Sequence, residues 1–543
     1  MRHLRLAPSL VLLLPLLSSL SSHAAEWQQP TPEELKMTAD PSAPNAEAVY
    51  LYREEITDNH LHMQSTYVRL KILRDEGKKY GDVEISGYSQ EYQITDIQGR
   101  TIHPDGTVVP FTGKPYEKLL FKTRTSQYKA KVFSLPDVEA GSILEYRYKM
   151  RLDDNRYMTP EWEVQTPLFT RKAHFHFVPT DHLVISHTDK GNVTSSLAYS
   201  KILPPGADVV DVRNEYDLNV SNVRGLPREE FEPPMQAFAY RVRFYYTSKR
   251  SVQEYWDEYG KSWSKRVDKF AEPSPAITSA AQELTSGART EDEKLQKLYN
   301  AVMKLENTRF TREHSEDENR AEGVKKVKSA ADVLSLKRGS GEDIALLFLA
   351  LVRASGFKAY AMQVTNRDRT FFQPNYLESG QLDDTVVIVM VAGKEKLFDP
   401  GERYAGYAQL HWKHAQAGGL RQHDGKTDIG TTPSNTYKET VIQRVASLKL
   451  ASGGAITGDV SILCTGVQAL RWRQKALQGD EVALKKEFDD ELASDLPPGI
   501  VLHTDHFLGL TDQDATLMVR MAVAGSLGTA TGKRVFLPVS VFA

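Results

Sequence analysis

Apolar positions along this chain change their period in a way that divides it into stretches of different structure. From Val49 to about Tyr246, segments such as Tyr67-Val68-Arg69-Leu70-Lys71-Ile72-Leu73 and Ile143-Leu144-Glu145-Tyr146-Arg147-Tyr148 alternate between apolar and polar residues, the period of a half-buried strand. Pro104-Asp105-Gly106 and Glu139-Ala140-Gly141 supply turns, so this stretch is predicted to be mostly antiparallel β. The polar, proline-bearing leader before it, Gln28 to Ala46, is expected to be loosely held. Around Ser248 the period becomes that of a helix: Trp256, Tyr259, Trp263, Val267 and Phe270 recur at three- and four-residue spacing. Thr290-x-x-Glu293 forms a capping box ahead of the stripe Leu295, Leu298, Tyr299, Val302 and Leu305. Arg312 to Lys328 is almost wholly charged and polar and reads as a solvated loop.

Ile344 to Val352 is apolar all round, which predicts a helix in the middle of a core with other elements on every side. Strand-like runs follow at Phe357 to Val364 and Thr385 to Val391, the second turning at Ala392-Gly393 into Lys396-Leu397-Phe398-Asp399-Pro400 as a hairpin. From about Thr440 the strand texture returns, interrupted by one long amphipathic helix over Val467 to Ala493 that Pro497-Pro498-Gly499 closes. The chain therefore reads as multidomain: a signal peptide over 1–24, a β-rich N-terminal domain with its leader over 25–247, an α+β domain over 248–438, and a small C-terminal β-rich domain with one long helix over 439–543.

The extreme N-terminus sharpens the picture of location. Arg2, His3 and Arg5 precede an apolar run from Leu10 to Leu20, and small residues follow, with Ser22-x-Ala24 fitting the cleavage rule. The run is short of the roughly twenty residues a membrane span needs, and no cysteine follows that could carry a lipid. The expectation is a cleaved, periplasmic or secreted protein with no membrane insertion afterwards. Charge is nearly balanced, at 68 basic against 71 acidic residues, which gives no footprint for nucleic acid. The one cysteine, Cys464, cannot form an internal disulfide. It shares a strand face with Val460 and Ile462, so it is expected to be a buried structural thiol, because nucleophilic cysteines sit in electropositive surroundings that a mid-strand position lacks.

Lys337-Arg338-Gly339-Ser340-Gly341-Glu342-Asp343, the apolar helix, and then Arg353-Ala354-Ser355-Gly356 resemble the transglutaminase-like superfamily. Gly339, Asp343, Arg353, Ala354 and Gly356 match its positions, and the hairpin ending in Phe398-Asp399-Pro400 looks like the strand pair that carries its histidine and aspartate. The resemblance spans roughly Trp256 to Gly406 and implies a papain-like, transglutaminase-like α+β fold for the middle domain. Gly99-Arg100-Thr101-Ile102-x-Pro104-Asp105-Gly106-Thr107 and Leu135-Pro136-Asp137-Val138-Glu139-x-Gly141-Ser142 look like the uncharacterised β domain that often precedes such domains in exported bacterial proteins.

The superfamily's chemistry needs a thiolate at a helix N-terminus, an imidazole and an orienting carboxylate. Here Gly341 stands at the cysteine position, Asp383 or Asp384 at the histidine position, and only Asp399 matches. No residue is therefore expected to be catalytic, and no cofactor or metal is expected. Ser340 with Asp343 reads as a helix cap rather than a substitute nucleophile. The expected role is binding: Ser340, Gly341, Asp343, Asp383, Asp384 and Asp399 would line a vestigial pocket, with glycine leaving space, for a peptide, protein or glycan partner in the cell envelope. Two other readings stand beside it. One is a hydrolase of different chemistry built on Glu342, Asp343, Asp383, Asp384 and Asp399, which could hold a hard cation. The other is a purely structural assembly role. His411 and His414, three residues apart, would suit a zinc pair on a helix, but no third ligand is identifiable and they read as surface or core histidines.

Overall fold

The computed structural model describes residues 27–88, 92–122, 127–153, 158–180, 183–188, 191–227, 232–249, 251–311, 327–494, 496–532 and 534–537. The signal peptide, most of the charged stretch from Arg312 and the last six residues lie outside the described residues.

The N-terminal region is built as its alternation requires. An eight-stranded sheet runs in the order Val210–Val212, Glu215–Val223, Thr170–Val178, Ala48–Asp58, Met63–Ile72, Ile143–Leu152, Tyr92–Ile102, Val108–Pro110. Its neighbours are antiparallel except for the parallel pair Ala48–Asp58 and Thr170–Val178. Ala173, Phe175 and Phe177 project from one face of Thr170–Val178 into an aromatic core shared with Trp162 and Phe244 of a second sheet. Trp162 and Phe244 meet edge to face at 4.8 Å, an arrangement aromatic quadrupoles favour.

The leader is more firmly seated than its composition suggests. Thr31 caps a short helix, Pro32–Lys36, through a complete capping box. Trp27 lies under the guanidinium groups of Arg100 and Arg147, at 4.9 and 4.6 Å from its ring centre. The Gln28 carbonyl accepts from Arg69 and Arg100, and the Leu35 carbonyl accepts from Lys71. The cause lies in the sheet: Arg69, Lys71 and Glu145 are buried charged groups, and a buried charge needs hydrogen-bonding partners, which the leader supplies.

In the middle region the helix Gly341–Ala354 is the hub, with Ile344 through Val352 all buried. Helix Val252–Phe270 joins its core from the sheet, against strands Gly418–His423 and Lys426–Thr431, and helices Pro275–Thr285, Glu291–Val302 and Ala330–Leu336 cover the hub on one side. On the other lies a five-stranded antiparallel sheet ordered Lys394–Phe398, Asp384–Val391, Ala359–Val364, Gly418–His423, Lys426–Thr431. Asp384–Val391 is covered on both faces: Val387 and Val389 belong to the helix-side core, and Val386 and Ile388 to a second cluster. That explains its unbroken apolar run.

The C-terminal region is a four-stranded sheet, Ile442–Leu450, Ala455–Cys464, Leu517–Ser526 and Ile500–Leu508 in that order. The single long helix expected over Val467 to Ala493 is two, Gly466–Lys475 and Glu481–Ala493. Asp480 ends the run by accepting from the Ala483 amide at 2.8 Å and capping the second helix. The two helices fold back so that the Trp472 and Phe488 rings meet at 4.6 Å, tilted by 59°. Cys464 is buried on this sheet, its thiol pushed up to about 11 by burial. Among the described residues no helix is long and apolar enough to cross a membrane.

Candidate functional site

The start of the central helix is a closed piece of backbone architecture. The Ser340 hydroxyl accepts from the Asp343 amide at 3.2 Å, and the Asp343 carboxylate accepts from the Ser340 amide and hydroxyl at 2.9 and 2.8 Å. Both polar groups are thereby engaged in the capping box. Glu342 is exposed beside it.

Gly341 does not leave space. A β-carbon there would lie 2.9 Å from the Gly401 carbonyl oxygen, and one on Gly401 would lie 2.8 Å from that of Gly341. The two backbones touch because the loop after the hairpin, Pro400-Gly401-Glu402, is drawn against the helix, with Asn307 Nδ2 donating to the Gly401 carbonyl at 2.8 Å. The next nearest group to the missing β-carbon is the Arg309 guanidinium, its central carbon at 3.6 Å. The expected opening at Gly341 is thus filled by a neighbouring backbone and by an arginine.

Asp384 and Asp399 are brought together, and what joins them is a histidine from outside the hairpin. His414 Nδ1 lies 2.7 Å from Asp399 Oδ2, and its Nε2 lies 2.7 Å from Asn366 Oδ1 and 3.1 Å from Asp384 Oδ2. The His411 amide also donates to Asp399 at 2.9 Å. Arg309 bridges Asp384 to Glu402, its Nη1 at 3.1 Å from Asp384 Oδ2 and 2.6 Å from Glu402 Oε1. Lys413 Nζ reaches Glu402 at 2.8 Å, and Gln474 of the C-terminal region donates to the other Glu402 oxygen at 3.0 Å. Three carboxylates and three basic side chains therefore interlock. Asp383 takes no part: it accepts from the Asn366 amide at 3.0 Å and pairs with Arg369.

Burial and pairing set the protonation states. Burial alone would lower His414, but the Asp399 and Asp384 carboxylates outweigh it and raise its pKa to about 9. Burial alone would likewise raise Asp384 and Asp399, yet His414, with Arg309 on Asp384, holds both below the ordinary carboxylate range. His414 is thus an imidazolium at neutral pH, with both N–H groups donated to neighbours. A general base must offer a free lone pair to a reacting proton, and this ring offers none. Asp384, Glu402 and His414 bring donor atoms within 4.8 Å of one another, a spacing that could hold a metal ion. Arg309 and Lys413 already neutralise those carboxylates, so a metal would have to displace them.

Arg309, Asn366, Glu402, Lys413 and His414 are the members that sequence reasoning missed. His411 and His414 carried the nearest signal, but they lie at a one-turn 3₁₀ segment, Trp412–His414, and not on an α-helix. Beside the network runs an open groove of about 520 Å³, lined in part by Pro233, Pro234 and Met235 from the N-terminal region and Arg367, Phe371 and Trp412 from the middle region.

Comparison with known proteins accords with this architecture. Residues 59–201 match the model of a domain of unknown function, DUF3857, and residues 278–381 match that of the transglutaminase-like superfamily. A solved structure of a candidate protease from Parabacteroides distasonis aligns over 91% of this chain and 94% of its own, at 13% identity and a TM-score of 0.44. A candidate cysteine protease from Cytophaga hutchinsonii aligns over 57% of this chain and 79% of its own, at 10% identity and a TM-score of 0.19. No curated protein matches. The chain carries, in order, a DUF3857 domain and a transglutaminase-like core.

Proposed function

We propose that this chain is an exported, non-catalytic transglutaminase-like protein that binds a peptide, protein or glycan partner in the bacterial cell envelope. The observation that carries the reading is the packing at Gly341: where the superfamily's nucleophile would stand, there is a glycine, with the Gly401 carbonyl against it and the Arg309 guanidinium beside it. The remaining polar groups form a charge-compensated, buried set, which gives the domain a rigid core where the superfamily's chemistry would need a reacting centre. Binding then falls to the neighbouring groove, where Trp412 is 42% exposed and Arg367 and Asp368 supply charge. An apolar wall with a few polar groups suits an extended peptide or the faces of sugar rings.

A second reading, a metal-assisted hydrolase, rests on the convergence of Asp384, Glu402 and His414. One experiment separates the two. Amine incorporation into casein and hydrolysis of a mixed peptide library are followed for the full chain, with and without iodoacetamide and EDTA. The expected result is no turnover under any condition. Turnover that EDTA and Asp384→Asn both abolish would establish the hydrolase instead. Export is tested by N-terminal sequencing of protein recovered from the envelope fraction, where the chain should begin at or next to Ala25.

A further inference from the structure

A second cluster of metal-ligating side chains lies in the N-terminal sheet. Strand Thr170–Val178 sends Ala173, Phe175 and Phe177 into the aromatic core, so His174 and His176, two residues apart, share its other face. Register brings partners to them: His176 pairs with Asp217 on the antiparallel neighbour, and His174 pairs with Glu54 on the parallel one. Asp217 Oδ2 lies 2.9 Å from His174 Nε2 and 3.2 Å from His176 Nδ1. One carboxylate oxygen thus faces two imidazole nitrogens, and the three donor atoms lie within 4.8 Å of one another.

The outward nitrogens are held as well. His174 Nδ1 is 3.1 Å from Glu54 Oε2, and His176 Nε2 is 3.5 Å from Glu215 Oε2. Without an ion each inner nitrogen faces the Asp217 oxygen at hydrogen-bond distance, so an ion has to displace the inner proton; the carboxylate that keeps the outer N–H then holds the ring with its inner nitrogen on the ion, the arrangement that orients metal-bound histidines. Those partners are themselves fixed: Tyr52 donates to Glu54 at 2.8 Å, and Asn219 donates to the second oxygen of Asp217 at 2.6 Å. Bonds of about 2.0–2.1 Å from a tetrahedral ion to nitrogen and oxygen place such donors roughly 3.3 Å apart, so the two distances from Asp217 to the histidines need lengthen only by tenths of an ångström. The side chains are partly open, His174 and His176 at 23% and Asp217 at 32%, which leaves an entry path. No arginine or lysine pairs with Asp217 among the ion pairs of the described residues, in contrast to the network at Asp384.

We infer that His174, His176 and Asp217 form a binding site for a divalent first-row transition ion of the zinc type, with Glu54 and Glu215 orienting the histidines. Two imidazoles and one carboxylate suit zinc over calcium or magnesium, which prefer all-oxygen shells. Three protein donors leave a fourth position for water or an outside carboxylate or amine. The site is independent of the reading of the transglutaminase-like core.

The test uses the full chain, stripped with EDTA and titrated with zinc chloride against a chromogenic chelator. Cobalt(II) substitution reports coordination through its visible absorption. We expect one equivalent bound, a loss of at least 100-fold in affinity for His174→Ala/His176→Ala, and a loss of about 10–100-fold for Glu54→Gln. Asp217→Asn, which keeps the shape, should alter the cobalt spectrum. Far-UV circular dichroism checks that each variant is folded. Absence of stoichiometric zinc binding, or zinc affinity undiminished in the folded double-histidine variant, would overturn the assignment.

Discussion

Replacing Arg309 by methionine tests the proposal that a stabilising charge network, and no reacting centre, lies beside the start of the central helix. Asp384 and Glu402 side chains are 6% and 1% exposed, and Arg309 bridges them. Without it, Asp384, Asp399 and Glu402 face only Lys413 and His414, leaving a buried negative charge uncompensated. Removing one partner from a buried pair costs about 3–5 kcal/mol. Arg309 is itself 34% exposed, and water at its open end reduces the figure to about 2–3 kcal/mol. In a domain of this size that corresponds to a fall of about 5–10 °C in Tm. Differential scanning calorimetry resolves the transition of the middle region. Adding Glu402→Gln removes the surplus charge and should recover about half of the loss, a coupling readable as a double-mutant cycle. A melt within about 1 °C of the parent, with no coupling to Glu402, would refute the reasoning and return the acidic groups to the list of available reagents.

Four other outcomes follow from the same geometry. Gly341→Ala should destabilise the middle region by about 1–3 kcal/mol, seen in urea unfolding, because its β-carbon would meet the Gly401 carbonyl at 2.9 Å; unchanged stability would mean the two backbones separate freely. Stability should fall as pH rises from about 6.5 to about 9, since His414 has a folded pKa raised to about 9 over an unfolded value near 6.5. Its contribution, on the order of 3 kcal/mol, is fully present below 6.5 and lost through 9, and His414→Gln should flatten that slope. Cys464 should resist a thiol reagent at neutral pH in the folded protein and react fully in denaturant, because burial raises its pKa to about 11. Deleting residues 27–36 should lower the melting temperature of the N-terminal region by several degrees, because Arg69 and Lys71 lose the leader groups that satisfy them.

Spacing along the chain is enough to give most of the local elements their class, though not the break between Gly466–Lys475 and Glu481–Ala493. Period-two alternation marked the N-terminal strands, the all-apolar run Ile344 to Val352 marked the buried hub, and Ser340 with Asp343 announced the helix cap that the structure contains. These follow from interactions within a few residues, where spacing dictates which side chains share a face. The sequence also puts glycine at position 341 and aspartate at 383 and 384, where the resemblance implies a cysteine and a histidine, because a motif position is read directly. What filled the gap was decided only in three dimensions. Arg309 stands 32 residues before Gly341 and His414 stands 15 after Asp399, and no periodicity links them; they meet because the hairpin loop and the segment after it close over the helix start. The leader Gln28 to Ala46 shows the same limit from the other side. Its composition is that of a loose segment, and it is ordered by buried charges on strands far along the chain. The His174, His176 and Asp217 cluster likewise depends on strand register, which pairs residues some forty positions apart. Local pattern sets which face a side chain occupies, whereas the partner on the neighbouring element is set by packing of the whole fold.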